Sequence, residues 1–91
     1  MQYEPNTSSV IDLSSYNYCT LIILTSSQYN QNYVGFWYKN GEGNFVHNDI
    51  ATSQYITLSS STSTITVSFG AVRGQLNVWL LSKKEWLNRQ G

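Results

Sequence analysis

In the second half of the chain, short runs place apolar residues two positions apart, with mostly polar residues between them. From Tyr55 to Ser82, three short runs follow one another. Their apolar positions are Ile56/Leu58, Ile65/Val67/Phe69 and Leu76/Val78/Leu80. Successive side chains of a β-strand point to opposite faces, so each run has one apolar side and one polar side. The stretches between the runs, Ser59–Ser63 and Gly70–Gly74, are rich in turn-forming residues. The pattern predicts an antiparallel β-meander with one face turned toward a core.

The first half of the chain predicts four further strands. They cover Val10–Leu13, Tyr18–Thr25, Tyr33–Lys39 and Phe45–His47. Asn40-Gly41 lies between the last two, and Asn-Gly readily takes the positive φ values that a tight hairpin needs. Seven short strands with closely spaced turns are typical of a sandwich or a small barrel. We therefore expect an all-β chain with one antiparallel β-sandwich domain, Ig-like or jelly-roll-like, at residues 10–82. An N-terminal arm (1–9) and a C-terminal tail (83–91) would flank it.

The predicted strand Tyr18–Thr25 is apolar on both sides. One side carries Tyr18, Ile22 and Leu24, and the other carries Cys19, Leu21 and Ile23. A strand without a polar face is either central in a sandwich or covered on its outer side by a partner. We expect Cys19 to be a small buried hydrophobic residue, because it lies within this apolar run.

The aromatic strand Tyr33–Lys39 and the last strand of the meander supply the candidate contact residues. We place Val34/Phe36/Tyr38 and Leu76/Val78/Leu80 inward, which turns Trp37 and Trp79 outward. The predicted outward patch suits a glycan or a protein partner, because aromatic rings give large contact areas at low entropy cost. The candidate residues are Tyr33, Trp37, Gln75, Asn77, Trp79 and Trp86. Alternatively, both faces of these strands are covered inside the sandwich, and Trp37 and Trp79 belong to the core.

The composition is poor in charge. Charged residues make up 11% of the chain, against about 25% in ordinary soluble domains. Residues 1–72 hold four acidic residues and one lysine, a net charge of −3, whereas residues 73–91 hold four basic residues and one acidic residue, a net charge of +3. Such a division favours head-to-tail contact between copies. Four basic residues within residues 73–91 are too few to predict nucleic-acid binding, because affinity grows with the number of phosphates neutralised.

Catalytic patterns are not recognisable in the sequence. The chain has one histidine, His47, and one cysteine, so no metal site built on several such ligands is expected. The five carboxylates are dispersed, and no serine lies in a G-x-S-x-G motif. We therefore expect no enzyme and no cofactor. A cleft lined by His47 and convergent acidic residues would contradict this expectation. We also find neither a secretory signal nor an apolar run long enough to cross a bilayer.

The run ITLSSSTSTITVSFGAVRGQLNVWLL resembles the small β domains of tailed-bacteriophage fibres, baseplates and head-decoration proteins. Those domains are also low in charge, rich in Ser, Thr and Asn, and built from short alternating strands. The resemblance covers about Tyr55–Ser82 and assigns no individual site residues. It implies a β-sandwich or jelly-roll module that assembles symmetrically on a virion. The chain has no long shaft or collar segment of the kind that fibres use, which favours a small decoration or accessory protein.

These observations predict a non-enzymatic virion protein, such as a capsid decoration, head fibre or tail/baseplate component. It would act by protein–protein assembly with itself or with other virion proteins. The alternative is a carbohydrate-binding or host-receptor-binding adhesin module that uses the same aromatic patch on a cell-surface glycan. A lower alternative is a small inhibitor that presents a β-edge to a host protein.

Overall fold

A computed structural model describes residues 2–40 and 42–82, with side chains as far as residue 80. These residues form eight β-strands and no helix. The strands are β1 (Gln2–Tyr3), β2 (Ser8–Asp12), β3 (Cys19–Ser27), β4 (Val34–Lys39), β5 (Phe45–Ala51), β6 (Ile56–Ser60), β7 (Thr64–Phe69) and β8 (Gly74–Ser82). The all-β fold class predicted from the sequence is confirmed.

The strands form two sheets that pack face to face. The larger sheet has the order β1-β8-β3-β4-β5, the smaller has the order β2-β7-β6, and all neighbouring strands are antiparallel. The core lies between them, as in other sandwiches. Its buried members include Leu13, Cys19, Leu21, Ile23, Tyr33, Trp37, Ile56, Ile65, Val67 and Phe69. Cys19 is 3% exposed, so its prediction as a buried hydrophobic residue is confirmed.

The predicted meander is only partly correct. β6 and β7 pair as a hairpin, but β8 crosses to the larger sheet and pairs with β3 and β1. The crossing segment is anchored by Val72, which is fully buried, and by Gly70, whose N–H donates to the carbonyl of Tyr55 at 2.7 Å. Alternation defines the two faces of a strand but not the sheet that the strand joins. The third run is therefore a strand, as predicted, but it pairs with β3 and β1 and not with β7.

The N-terminal arm takes part in both sheets. Gln2–Tyr3 pairs with β8, and the Tyr3 ring stacks on Phe69 with 5.3 Å between ring centroids. Ser8 already belongs to β2 and lies opposite Ser68 of β7. The polar arm is thus two short paired stretches joined by a turn at Pro5 and Asn6, where Asn6 has a φ of 61°, and hydrophobic periodicity does not reveal this pairing. The C-terminal tail, with Trp86, lies outside the described residues.

The predicted orientation of β4 is wrong. Trp37 is 2% exposed and Tyr33 just before the strand is 4% exposed, whereas Phe36 and Tyr38 are 44% and 46% exposed. Gly35 explains why its own side of β4 faces the core, because the Tyr33 ring folds across the glycine. A Cβ atom at position 35 would lie 2.1 Å from the Tyr33 hydroxyl oxygen. The face with the glycine therefore has room to pack a large ring against the core, in the way that aromatic side chains cover strand glycines in other sheets.

The predicted orientation of β8 is correct for most of its length. Leu76 and Leu80 pack against the core, and Trp79 points away from it with 54% of its surface exposed. Val78 shares the inner side, where it lies opposite Ile23, but it remains 36% exposed. The two tryptophans thus lie on opposite faces of the larger sheet, so the patch predicted to contain both is not formed.

Candidate functional site

The side of the larger sheet that points away from the core is the candidate site, and we call it the outer face. The strand registers arrange its residues in three rows across β8, β3, β4 and β5. The central row is Trp79, Ile22, Phe36 and Asn48. One flanking row contains Thr20, Tyr38 and Val46, and the other is Asn77, Leu24, Val34 and Ala51. The central strand, β3, therefore shows Ile22 and Leu24 outward while its alternate residues fill the core.

The outer face is largely apolar and aromatic, its polar residues are Thr20, Asn48 and Asn77, and it carries no charge. Trp79, Phe36 and Tyr38 are each about half exposed, and Val46 is also exposed. None of the residues in the three rows is charged. Four strands about 4.8 Å apart and three rows about 6.8 Å apart give an outline of roughly 400 Å². Apolar residues occupy most of this outline, which places the apolar patch near the lower end of the range of about 300–600 Å² found for the largest patch on a monomer.

The two described layers leave the outer face without a third layer over it. The apolar strand Tyr18–Thr25 had two predicted explanations, a central strand of a sandwich or a strand covered on its outer side by a partner. β3 is the central strand of the larger sheet. Its Leu21 and Ile23 are fully buried, whereas Ile22 and Leu24 are only half-buried on the opposite side.

The six candidate contact residues are dispersed by the fold. Asn77 and Trp79 lie on the outer face. Gln75 points to the same side of β8, opposite Ser26, but lies beyond the three rows, in an open groove of about 520 Å³ that Gln2, Gln28 and Arg73 also line. The prediction that Tyr33 and Trp37 face outward is wrong, and Trp86 falls in the part of the chain that is not described. Sequence reasoning missed Phe36, Tyr38 and Val46 as surface residues, although the two-sided apolar pattern of β3 pointed to an apolar outer side.

A second feature is a cleft of about 230 Å³ between the edge strands β5 and β6. Its lining includes Tyr33, Trp37, His47 and Asp49 of the larger sheet, and Ile56, Thr57 and Leu58 of the smaller sheet. The Trp37 Nε1–H donates to the Tyr33 hydroxyl at 2.8 Å, and that hydroxyl donates to Asp49 Oδ1 at 2.5 Å. His47 Nδ1 lies 2.8 Å from the same Asp49 oxygen, and its ring stacks on Trp37 with 4.3 Å between centroids.

The electrostatics of this cleft follow from those hydrogen bonds. Donation from Tyr33, together with the neighbouring His47, lowers the pKa of Asp49 despite some desolvation. Burial, and secondarily the hydrogen bond to Asp49, raises the pKa of Tyr33, so that its phenol stays neutral. The cleft thus brings His47 to a single carboxylate rather than to a set of convergent acids. Its polar groups satisfy one another and tie the buried face of β4 to the edge strand β5.

Comparison with known proteins found no matching family model, no matching curated protein and no matching solved structure. Within residues 2–40 and 42–82, no three His, Cys, Asp or Glu side chains are grouped so as to hold a metal ion. In the same residues no helix is long and apolar enough to cross a membrane.

Proposed function

We propose that this chain is a non-enzymatic assembly protein that acts by protein–protein contact through the outer face. The supporting observation is the uncharged, half-exposed row of Trp79, Ile22 and Phe36 across three adjacent strands. Interface centres are depleted of charged residues and enriched in aromatic ones. A solvated sheet face normally carries polar residues at these positions, so this face is better suited to a protein surface than to water.

The proposed setting is a virus particle, in which the chain is a small decoration or accessory component. This part of the proposal is supported by the resemblance of residues 55–82 to small β domains of tailed bacteriophages and by the charge-poor, Ser/Thr-rich composition. A flat sheet face suits that role, because symmetric assembly uses the same surface patch of every copy.

The test is incorporation into particles. Particles are purified from a culture that expresses the wild-type chain, Phe36→Lys or Val10→Lys, and the bound chain is quantified by mass spectrometry. Phe36 lies at the centre of the outer face, and Val10, 61% exposed on β2, is a matched surface control on the smaller sheet. We expect wild type and Val10→Lys in the particles and a loss of at least tenfold for Phe36→Lys. Particles without the wild-type chain would contradict the virion setting, and equal incorporation of all three would contradict the role of the face.

Carbohydrate binding is the second candidate, and Trp79 and Asn77 favour it. Both are exposed on the outer face, two positions apart on β8, so an indole for stacking on a sugar ring lies near an amide for its hydroxyls. A glycan array probed with wild type and Trp79→Ala distinguishes this candidate. A glycan that binds wild type and is lost in the variant would favour the adhesin function, and an array without binding would exclude the glycans it displays.

A further inference from the structure

We infer that the partner of the outer face is a second copy of this chain, related by a two-fold axis parallel to the strands. The inference rests on the proposed function of the face as a protein contact and specifies the partner. The two outer faces would pack as sheets do in an aligned sandwich, about 10 Å apart and with the strands of the two copies close to parallel. Such a contact is isologous, because the same residues contribute from both copies.

The charge distribution favours a second copy over a partner chosen by charge. The three rows of the outer face contain no Lys, Arg, Asp, Glu or His. Electrostatic complementarity would require charged groups here to select an acidic or basic partner. A second copy brings an equally neutral face, so the approach of the two faces has no like-charge repulsion within the contact.

The shape of the rows is self-complementary about an axis between β3 and β4. Rotation about that axis places β8 over β5 of the partner and β3 over its β4. Each row then faces the same row of the partner, with its residues in the opposite order. Trp79 would face Asn48, Tyr38 would face Thr20, and Asn77 would face Ala51. The two bulkiest side chains, Trp79 and Tyr38, thus meet smaller ones, as the layers of a core do where they interdigitate. Ile22 meets Phe36 at the centre, where both are apolar.

An axis perpendicular to the strands fits less well. It would place β8 over β8, so that Trp79 of one copy meets Trp79 of the other while Asn48 meets Asn48. The two bulkiest side chains would then oppose each other at one edge of the contact and leave space at the other edge. The axis parallel to the strands avoids this mismatch.

The small area of the outer face limits how strongly two copies can pair. An outline of roughly 400 Å² per copy is about half of the 800 Å² per partner found in stable interfaces. Pairing through this face alone is therefore weak and reversible, in the class of transient contacts, and becomes complete only at high local concentration. A virion lattice would provide such a concentration.

Site-specific cross-linking tests the inference. Asn77→Cys and Ala51→Cys are prepared as separate variants, mixed, and treated with a short bifunctional maleimide whose reach matches the gap of about 10 Å between facing sheets. Because each chain carries only one of the two introduced thiols, a product that joins position 77 to position 51 is necessarily intermolecular. The wild-type chain is the control, since its Cys19 is buried. Asn48→Cys treated alone reports the perpendicular axis.

We expect a cross-link between positions 77 and 51 that grows with concentration and falls at least fivefold when both variants also carry Phe36→Lys. A cross-link of Asn48→Cys to itself, without one between positions 77 and 51, would overturn the proposed axis. If neither cross-link forms at any concentration, the second copy is not the partner. The proposed function would still stand if Phe36→Lys abolished particle incorporation in the same preparation. If Phe36→Lys left particle incorporation unchanged as well, both the proposed function and the inference would fail.

Discussion

The two faces of the larger sheet are similar in hydrophobicity and different in their surroundings. On β4, the inner face carries Gly35 and Trp37, and the outer face carries Phe36 and Tyr38. The smaller sheet covers the first face, whereas the described residues place no layer over the second. A side chain on the inner face should therefore contribute to folding, and one on the outer face should contribute to association. Substitutions on the inner face should therefore change stability, and substitutions on the outer face should change association.

The largest difference is expected between the two tryptophans. Trp37→Ala removes a buried ring and its hydrogen bond to Tyr33, which should lower the free energy of unfolding by about 3–5 kcal/mol. Trp79→Ala removes a ring that is half exposed on the outer face and should lower it by about 1 kcal/mol or less. Urea denaturation at low protein concentration measures both variants. Equal losses would show that the assignment of the two faces is wrong.

Stability should be nearly as sensitive to substitution of Gly35, the glycine that accommodates the Tyr33 ring. Gly35→Ala forces the Tyr33 hydroxyl away from Trp37 and Asp49, and overpacking of this kind costs about 1–3 kcal/mol. Gly70→Ala is the matched control, because a Cβ atom there would meet its nearest neighbour, a backbone oxygen, at an ordinary 3.4 Å. A loss of stability as large for Gly70→Ala as for Gly35→Ala would contradict the packing role of Gly35.

The hydrogen-bonded chain beside the cleft should respond to acid. The pKa of Asp49 is lowered in the folded state, so its charge stabilises the fold above the ordinary carboxyl pKa of about 4. That contribution is lost as the pH falls through the lowered value. The stability advantage of wild type over Asp49→Asn should thus be larger at pH 5 than at pH 2.5. A difference that stays constant in urea denaturation at the two pH values would contradict this coupling.

The last prediction concerns the reactivity of the Cys19 thiol, which should change stability least. Burial raises the pKa of Cys19 above its ordinary value, outweighing the nearby Lys39, and its side chain lies within the core. Reaction with a thiol reagent should therefore be at least a hundredfold slower in the native chain than in urea, because the thiolate must form in the open state. Comparable rates in the two conditions would show that this end of β3 opens readily.

The fold class could be predicted because two-residue alternation and turn residues are local signals. The β6–β7 hairpin and the inward Leu76 and Leu80 follow directly from them. The crossing of β8 into the other sheet could not be predicted, because alternation carries no information about the neighbouring strand. The crossing segment is anchored by Val72, which is fully buried although the stretch Gly70–Gly74 is rich in turn-forming glycine.

The candidate site was harder to predict because β4 is apolar on both sides. Periodicity gives no preference between Trp37 and Phe36 as the core residue, and only the space above Gly35 decides between them. The glycine was visible in the sequence, but its effect depends on a ring folding back over it in three dimensions. The two-sided pattern of Tyr18–Thr25 was the more reliable signal, since it pointed to an apolar outer side whichever way β4 faced.

Sedimentation equilibrium over a wide range of concentrations tests the central claim most directly, because it measures association without assuming a partner geometry. We expect wild type and Val10→Lys to pass from monomer to dimer as concentration rises. We expect Phe36→Lys to remain monomeric while its unfolding free energy stays within about 1 kcal/mol of wild type. A wild-type chain that stays monomeric throughout, or a Phe36→Lys variant that associates as wild type does, would contradict the claim that the outer face serves assembly between copies.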